Sequence, residues 1–200
     1  LESLGLKLFV NRKFFKVNHI AKMGGAKMKA REITLTALFA ALTAIGAQIS
    51  IPLGGVPITL QVLFVLLSGL ILGARLGFMS QAIYVLMGAL GLPVFAGFKG
   101  GLPIIYGPTG GYIIAFPLAA LMTGFIAMRK ESIYGYAIAS LSGVLIIYLL
   151  GWLRLGFFLG RDFEKAFILG IAPFILVDSL KGVVAVLIAD RVRKAVRFSV

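Results

Sequence analysis

SIYGYAIASLSGVLIIYLLGW, residues 132–152, runs for 21 residues without a charged side chain. About twenty apolar residues are what an α-helix needs to cross the hydrocarbon core of a bilayer, so this stretch reads as a transmembrane span. Arg129, Lys130 and Glu131 separate it from a second apolar run at 109–128. Working outward, four more runs follow the same pattern at 33–51, 58–73, 77–95 and 166–189, the second of them short. The predicted fold is therefore all-α, an integral membrane bundle of six transmembrane helices. Composition agrees: of 200 residues, 60% are hydrophobic and only 14% charged, with a mean hydropathy of +1.03, where globular chains carry about a quarter charged residues. The length accommodates one membrane domain, residues 31–200. Two Pro/Gly-rich breaks, 51–57 and 91–108, cannot be regular helix throughout. The absence of cysteine excludes a disulfide scaffold and any cysteine-based metal or redox site.

A net charge of +13 is large for so apolar a chain. Fifteen of the twenty basic residues precede the first span, follow the last, or lie between spans two and three or four and five; Lys99, Arg154, Arg161 and Lys165 fall on the other side, and Lys181 within a span. By the positive-inside rule both termini are cytoplasmic. The excess is mostly an orientation signal, and nucleic acid is not an expected partner: only Arg12 to Lys16, with Phe14 and Phe15, interleaves cations and aromatics. Residues 1–30 form a basic leader that could lie on anionic membrane lipid. The preferred reading is an extension ahead of a true start at Met23 or Met28, so the segment is kept out of the fold.

Lipid supplies no hydrophobic drive for helix association, so close packing needs small residues at helical spacing. Ala37 with Ala41 and Ala40 with Ala44 lie four apart in the first span; Gly69, Gly73 and Gly77 do so at the second, and Gly135, Ala139 and Gly143 in the fifth. Such stripes serve either internal packing or docking on another membrane protein, and the residues alone favour the first. Pro117 in span four and Pro173 in span six should kink or open their helices.

Ionisable residues inside a span are functional candidates because hydrocarbon makes them costly. Asp178 and Lys181 share a face of span six at spacing i, i+3. As an ion pair they could simply join helices; as a ligand site, an acceptor-only carboxylate beside a donor-only ammonium suits a cyclic urea or amide edge. Thr59, Gln61, Tyr84, Thr109, Tyr112 and the loop residue Lys99 lie toward the same, non-cytoplasmic side and could converge on an outward pocket. Gln48 and Ser50, which close span one, and Gln81 lie near them in the sequence pattern. The glycine tracts 97–101 and 107–111 could bring main-chain N–H groups to a ligand, and Phe64, Phe95, Phe98, Tyr106 and Trp152 could form its apolar wall. No phosphate loop, HExxH or GxSxG motif is present, and the one histidine, His19, is in the leader. No catalytic or metal site is expected, and any energy source lies outside the chain or in an ion gradient.

The stretches GGVPITLQ (54–61), GLPVFAG (91–97) and GPTGGY (107–112), with Pro173 ahead of Asp178 and Lys181, together resemble the BioY family over roughly residues 28–195. The resemblance implies a biotin-binding S component of an energy-coupling factor (ECF) transporter in a prokaryotic cytoplasmic membrane. Its partners would be a transmembrane coupling protein and two cytoplasmic ATPases, and no cofactor is implied, biotin being the transported ligand. It assigns the ureido ring to Asp178 and Lys181, and less specifically the valerate carboxylate to Lys99. It also turns the Ala37/Ala41 and Ala40/Ala44 stripes of the first helix into the surface that docks on the coupling protein. The loop at 51–57 is expected to act as a lid. The alternatives are an S component for another vitamin and a gradient-driven carrier; no convincing internal repeat supports the latter.

Overall fold

The structure, a computed structural model, describes residues 28–52 and 56–198. The leader before residue 28 and the tip of the expected lid, 53–55, lie outside the described residues. The chain divides into two units, Leu1–Ile33 and Thr34–Val200. In the first, the Glu32 carboxylate accepts the Lys29 main-chain N–H at 2.9 Å, an acidic group where the positive end of a helix dipole favours one.

Helix α1 (Ala30–Gln48) is followed by a minimal hairpin, β1 (Ser50–Ile51) antiparallel to β2 (Ile58–Thr59). Helix α2 (Gln61–Leu67) continues as a π-helical turn, Ser68–Leu72, and α3 covers Ala74–Ala89. After a loop come the short α4 (Leu102–Tyr106), then α5 (Gly110–Arg129), α6 (Ile133–Phe158), α7 (Phe163–Gly170) and α8 (Ile175–Phe198). Each of the six apolar runs is thus helical, with shifted ends. Span two stops at Leu72 because Gly73 takes φ +83°, and span three stops at Ala89, short of residue 95, where Gly91 takes φ +99°. Both are left-handed conformations that glycine adopts without a side-chain clash. Among the described residues three helices, α1, α5 and α6, are long and apolar enough to cross a membrane alone; α7 with Ile175–Ala195 of α8 meets the same test only as a pair bent by 52°, the geometry of a broken span or of a re-entrant loop.

The two helix prolines behave differently. Span six is broken outright between Gly170 and Ile175, around Pro173, whereas α5 continues as helix through Pro117. Only the first interrupts its helix.

Small residues set the helix approach. A Cβ on Gly69 would stand 2.5 Å from the Ala120 carbonyl oxygen, and one on Gly77 3.0 Å from the Gly69 Cα. Gly143 faces Thr123 and Leu66 with no room for a methyl group. These glycine stripes serve internal packing. The alanines divide: Ala40 is buried and Ala44 half-buried, whereas Ala37 and Ala41 are exposed. Leu141, Leu145 and Leu149 are also exposed, at four-residue spacing along α6. An apolar stripe of this kind in water would be an association hazard, and in lipid it is the expected outer face. The chain is a multi-pass membrane protein.

Candidate functional site

A cavity of about 350 Å³ opens between the hairpin, the loop before α5 and the facing parts of α2, α5, α6 and α8. That is the size of a small-molecule site. The break around Pro173 starts α8 beside it, so Asp178 and Lys181, in the first two turns, reach its wall.

The pair is the electrostatic centre. Lys181 Nζ stands 2.6 Å from Asp178 Oδ1, and the residues are only 6% and 3% exposed. Two charges this far from water persist because each neutralises the other. The Tyr148 hydroxyl, from α6, donates to Asp178 Oδ2 at 2.9 Å. Both carboxylate oxygens therefore hold one protein donor and retain a lone pair each, while the ammonium has further N–H groups to give. A ligand edge with N–H beside a carbonyl finds an acceptor and a donor side by side.

A second polar set is built from β2 and α2. Thr59 Oγ1 donates to Gln61 Oε1 at 2.8 Å, and Gln61 Nε2 donates to the Tyr84 hydroxyl at 2.5 Å. That hydroxyl in turn donates a hydrogen bond to the Val94 carbonyl at 3.2 Å. Thr59 and Gln61 line the cavity; Tyr84 is fully buried behind Gln61 and fastens it to the 91–101 loop instead of lining the wall. Thr109 and Tyr112 also line it, and Tyr112 reaches across to donate to the Gly170 carbonyl at 2.9 Å, bracing the chain before the Pro173 break.

Lys99 stands at the mouth, in a turn closed by two main-chain bonds, Phe95 N–H to Lys99 O at 2.9 Å and Lys99 N–H to Phe95 O at 3.3 Å. Gln48, at the end of α1, holds that turn: its amide donates to Phe95 O at 3.2 Å and its carbonyl accepts the Phe98 N–H at 2.9 Å. The charged residues lining the cavity are thus two cations and one anion, a site with a single positive charge in excess.

Of the five aromatic candidates only Phe95 lines the cavity. Phe64 packs on Gly46, Trp152 donates to the Phe163 carbonyl, and Phe98 and Tyr106 are exposed. The wall is instead made by Phe116, Phe174, Ile113, Ile147 and Tyr148. The glycines of the second tract also have another use. A side chain on Gly110 would meet the Ile105 carbonyl, and one on Gly111 the Leu150 carbonyl, so they let α5 pack against α4 and α6. Tyr148 escaped the sequence reading, although a hydroxyl in mid-span always needs a partner. Nothing local in the sequence ties it to a carboxylate thirty residues away.

Comparison with known proteins is consistent with this geometry. The BioY family model matches residues 20–198. A Pyrococcus horikoshii protein, named as a probable biotin transporter BioY, is 56% identical over 166 residues, covering 83% of this chain and 98% of its own. The biotin transporter BioY of Thermotoga maritima is 49% identical over 164 residues, covering 82% and 96%. A crystal structure at 2.1 Å of the S-component for biotin from an ECF-type ABC transporter superposes with a TM-score of 0.78 at 29% identity, over 84% of this chain and 95% of that one. With the family model and these relatives spanning nearly the whole described membrane region, the chain belongs to the BioY family.

Proposed function

We propose that this chain is the biotin-capturing S component of an ATP-driven ECF transporter, a substrate-binding subunit and not an enzyme. The observation that carries the reading is the buried Asp178–Lys181 pair at the wall of a small-molecule cavity. A cyclic urea carries two N–H donors flanking one carbonyl. Asp178 accepts an N–H on its free lone pair, Lys181 donates to the carbonyl, and the charge balance of the pair is undisturbed by a neutral ring. Phe95, Phe116 and Phe174 supply the apolar wall for the fused ring. The valerate carboxylate neutralises the excess positive charge by reaching Lys99. The opposite orientation is disfavoured, because a carboxylate against Lys181 would also meet Asp178, 2.6 Å from the ammonium.

In this reading the six helical runs make six passes, with both termini cytoplasmic and the cavity facing outward, an orientation that the distribution of basic residues supports. The exposed Ala37 and Ala41 face lets a coupling-protein helix approach closely, and Ala40 and Ala44 contribute to the chain's own packing. Two cytoplasmic ATPases on that coupling protein supply the energy. Pro52, Val56 and Pro57 line the cavity, which supports reading the loop they belong to as a lid over the ligand.

The test is a calorimetric titration of purified protein in detergent with biotin, thiamine and riboflavin. Saturable binding of biotin alone, lost in Asp178→Asn, is the expected result. Binding of another vitamin in preference, or an unchanged biotin affinity in Asp178→Asn, rejects the assignment.

A further inference from the structure

We propose that Gln48 is a positioning residue for recognition of the ligand's acid group: its carboxamide clamps the Phe95–Lys99 turn and so keeps the Lys99 ammonium at the cavity mouth. The inference rests on the reading above, in which Lys99 meets a carboxylate.

The turn is an unfavourable piece of backbone. Gly97 has φ +72° and Phe98 has φ +56°. The left-handed region suits glycine but is an outlier for a bulky side chain, which persists there only when its surroundings hold it. The Phe98 ring contributes little to that restraint, being 71% exposed. At the base of the turn the Phe95 ring is buried edge-to-face on Tyr84, centroids 5.7 Å apart. Beyond that base, among the described residues, the side-chain hydrogen bonds to the backbone of the turn come from Gln48. Its carbonyl takes the Phe98 N–H at 2.9 Å and its amide gives to Phe95 O at 3.2 Å. The two partners fix which end of the carboxamide points where, since a donor faces one and an acceptor the other. Gln48 thus spans the turn at the strained residue immediately before Lys99.

Lys99 depends on this support for the placement of its charge. It is exposed, and among the described residues it makes no ion pair. The value of an exposed ammonium to a ligand depends on how narrowly its position is confined. Releasing the turn leaves the charge in place but spreads it over many positions.

The experiment compares biotin with its primary carboxamide, which keeps the ureido ring and loses only the negative charge. Both are titrated against wild type, Gln48→Met, Lys99→Ala and the double variant. Wild type is expected to prefer the acid by about fivefold, the scale of a rim charge pair. Lys99→Ala brings that ratio to about one, and Gln48→Met to below about twofold, with amide affinity within about twofold of wild type. The double variant is no lower than Lys99→Ala, because both changes remove the same contribution. A wild-type ratio retained in Gln48→Met overturns the proposal, as does loss of acid and amide binding in equal measure, which marks Gln48 as a general structural support. A wild type that does not distinguish acid from amide overturns both the Lys99 role and this inference. Wild type that binds neither ligand instead rejects the biotin reading itself.

Discussion

Asp178 and Lys181 stand one turn apart on a single helix, whereas Lys99 is carried by a strained turn that a glutamine from another helix holds in place. The first region is buried, charge-balanced and braced by a phenol; the second is exposed and carries the site's excess charge. The difference assigns them different work. A desolvated pair discriminates by hydrogen-bond pattern, because any mismatch strands a buried charge. An exposed cation discriminates by sign alone and is screened by salt.

Removing half of the inner pair tests the comparison most severely. Lys181→Ala leaves Asp178 buried without its cation, and is expected to cost about 3–5 kcal/mol shared between biotin affinity and stability. Titration and thermal unfolding in detergent would register it. Next in size, Gly69→Leu forces a side chain against the Ala120 carbonyl and is expected to lower stability by about 1–3 kcal/mol. It tests whether the inner region depends on close helix packing; an unchanged melting temperature would argue that the helices can separate freely. Tyr148→Phe keeps the ring and removes the hydrogen bond to Asp178, with an expected loss of about 1 kcal/mol of biotin affinity and little change in fold. Smallest is Lys99→Ala, expected to cost about 1 kcal/mol or less. High salt should erase that last difference while leaving the Lys181→Ala defect intact, and equal salt sensitivity of the two would dissolve the distinction between the regions.

The same contrast explains what could be read from the sequence. Asp178 and Lys181 were legible because helical periodicity alone puts positions three apart on one face, and because charge in an apolar run is conspicuous. The positions of the helical runs were legible from hydropathy, and the break near Pro173 from the chemistry of proline. Helix ends were less so: Gly73 and Gly91 end theirs by adopting positive φ, which the letter G permits but does not dictate. Tyr148 and Gln48 were not assigned their roles, since each acts on a partner distant in sequence, Asp178 and the Phe95–Phe98 turn respectively. The choice of aromatic wall was not legible for a related reason. Phe98 and Trp152 look as suitable as Phe116 and Phe174 until packing turns the first two away.

A structure of the protein with biotin tests the central claim most directly. The account predicts the ureido oxygen about 3 Å from Lys181 Nζ, a ureido nitrogen on Asp178, and the carboxylate at the mouth beside Lys99. Biotin lying the other way, with its carboxylate on Lys181 and its ureido ring at the mouth, or bound outside this cavity, would contradict it.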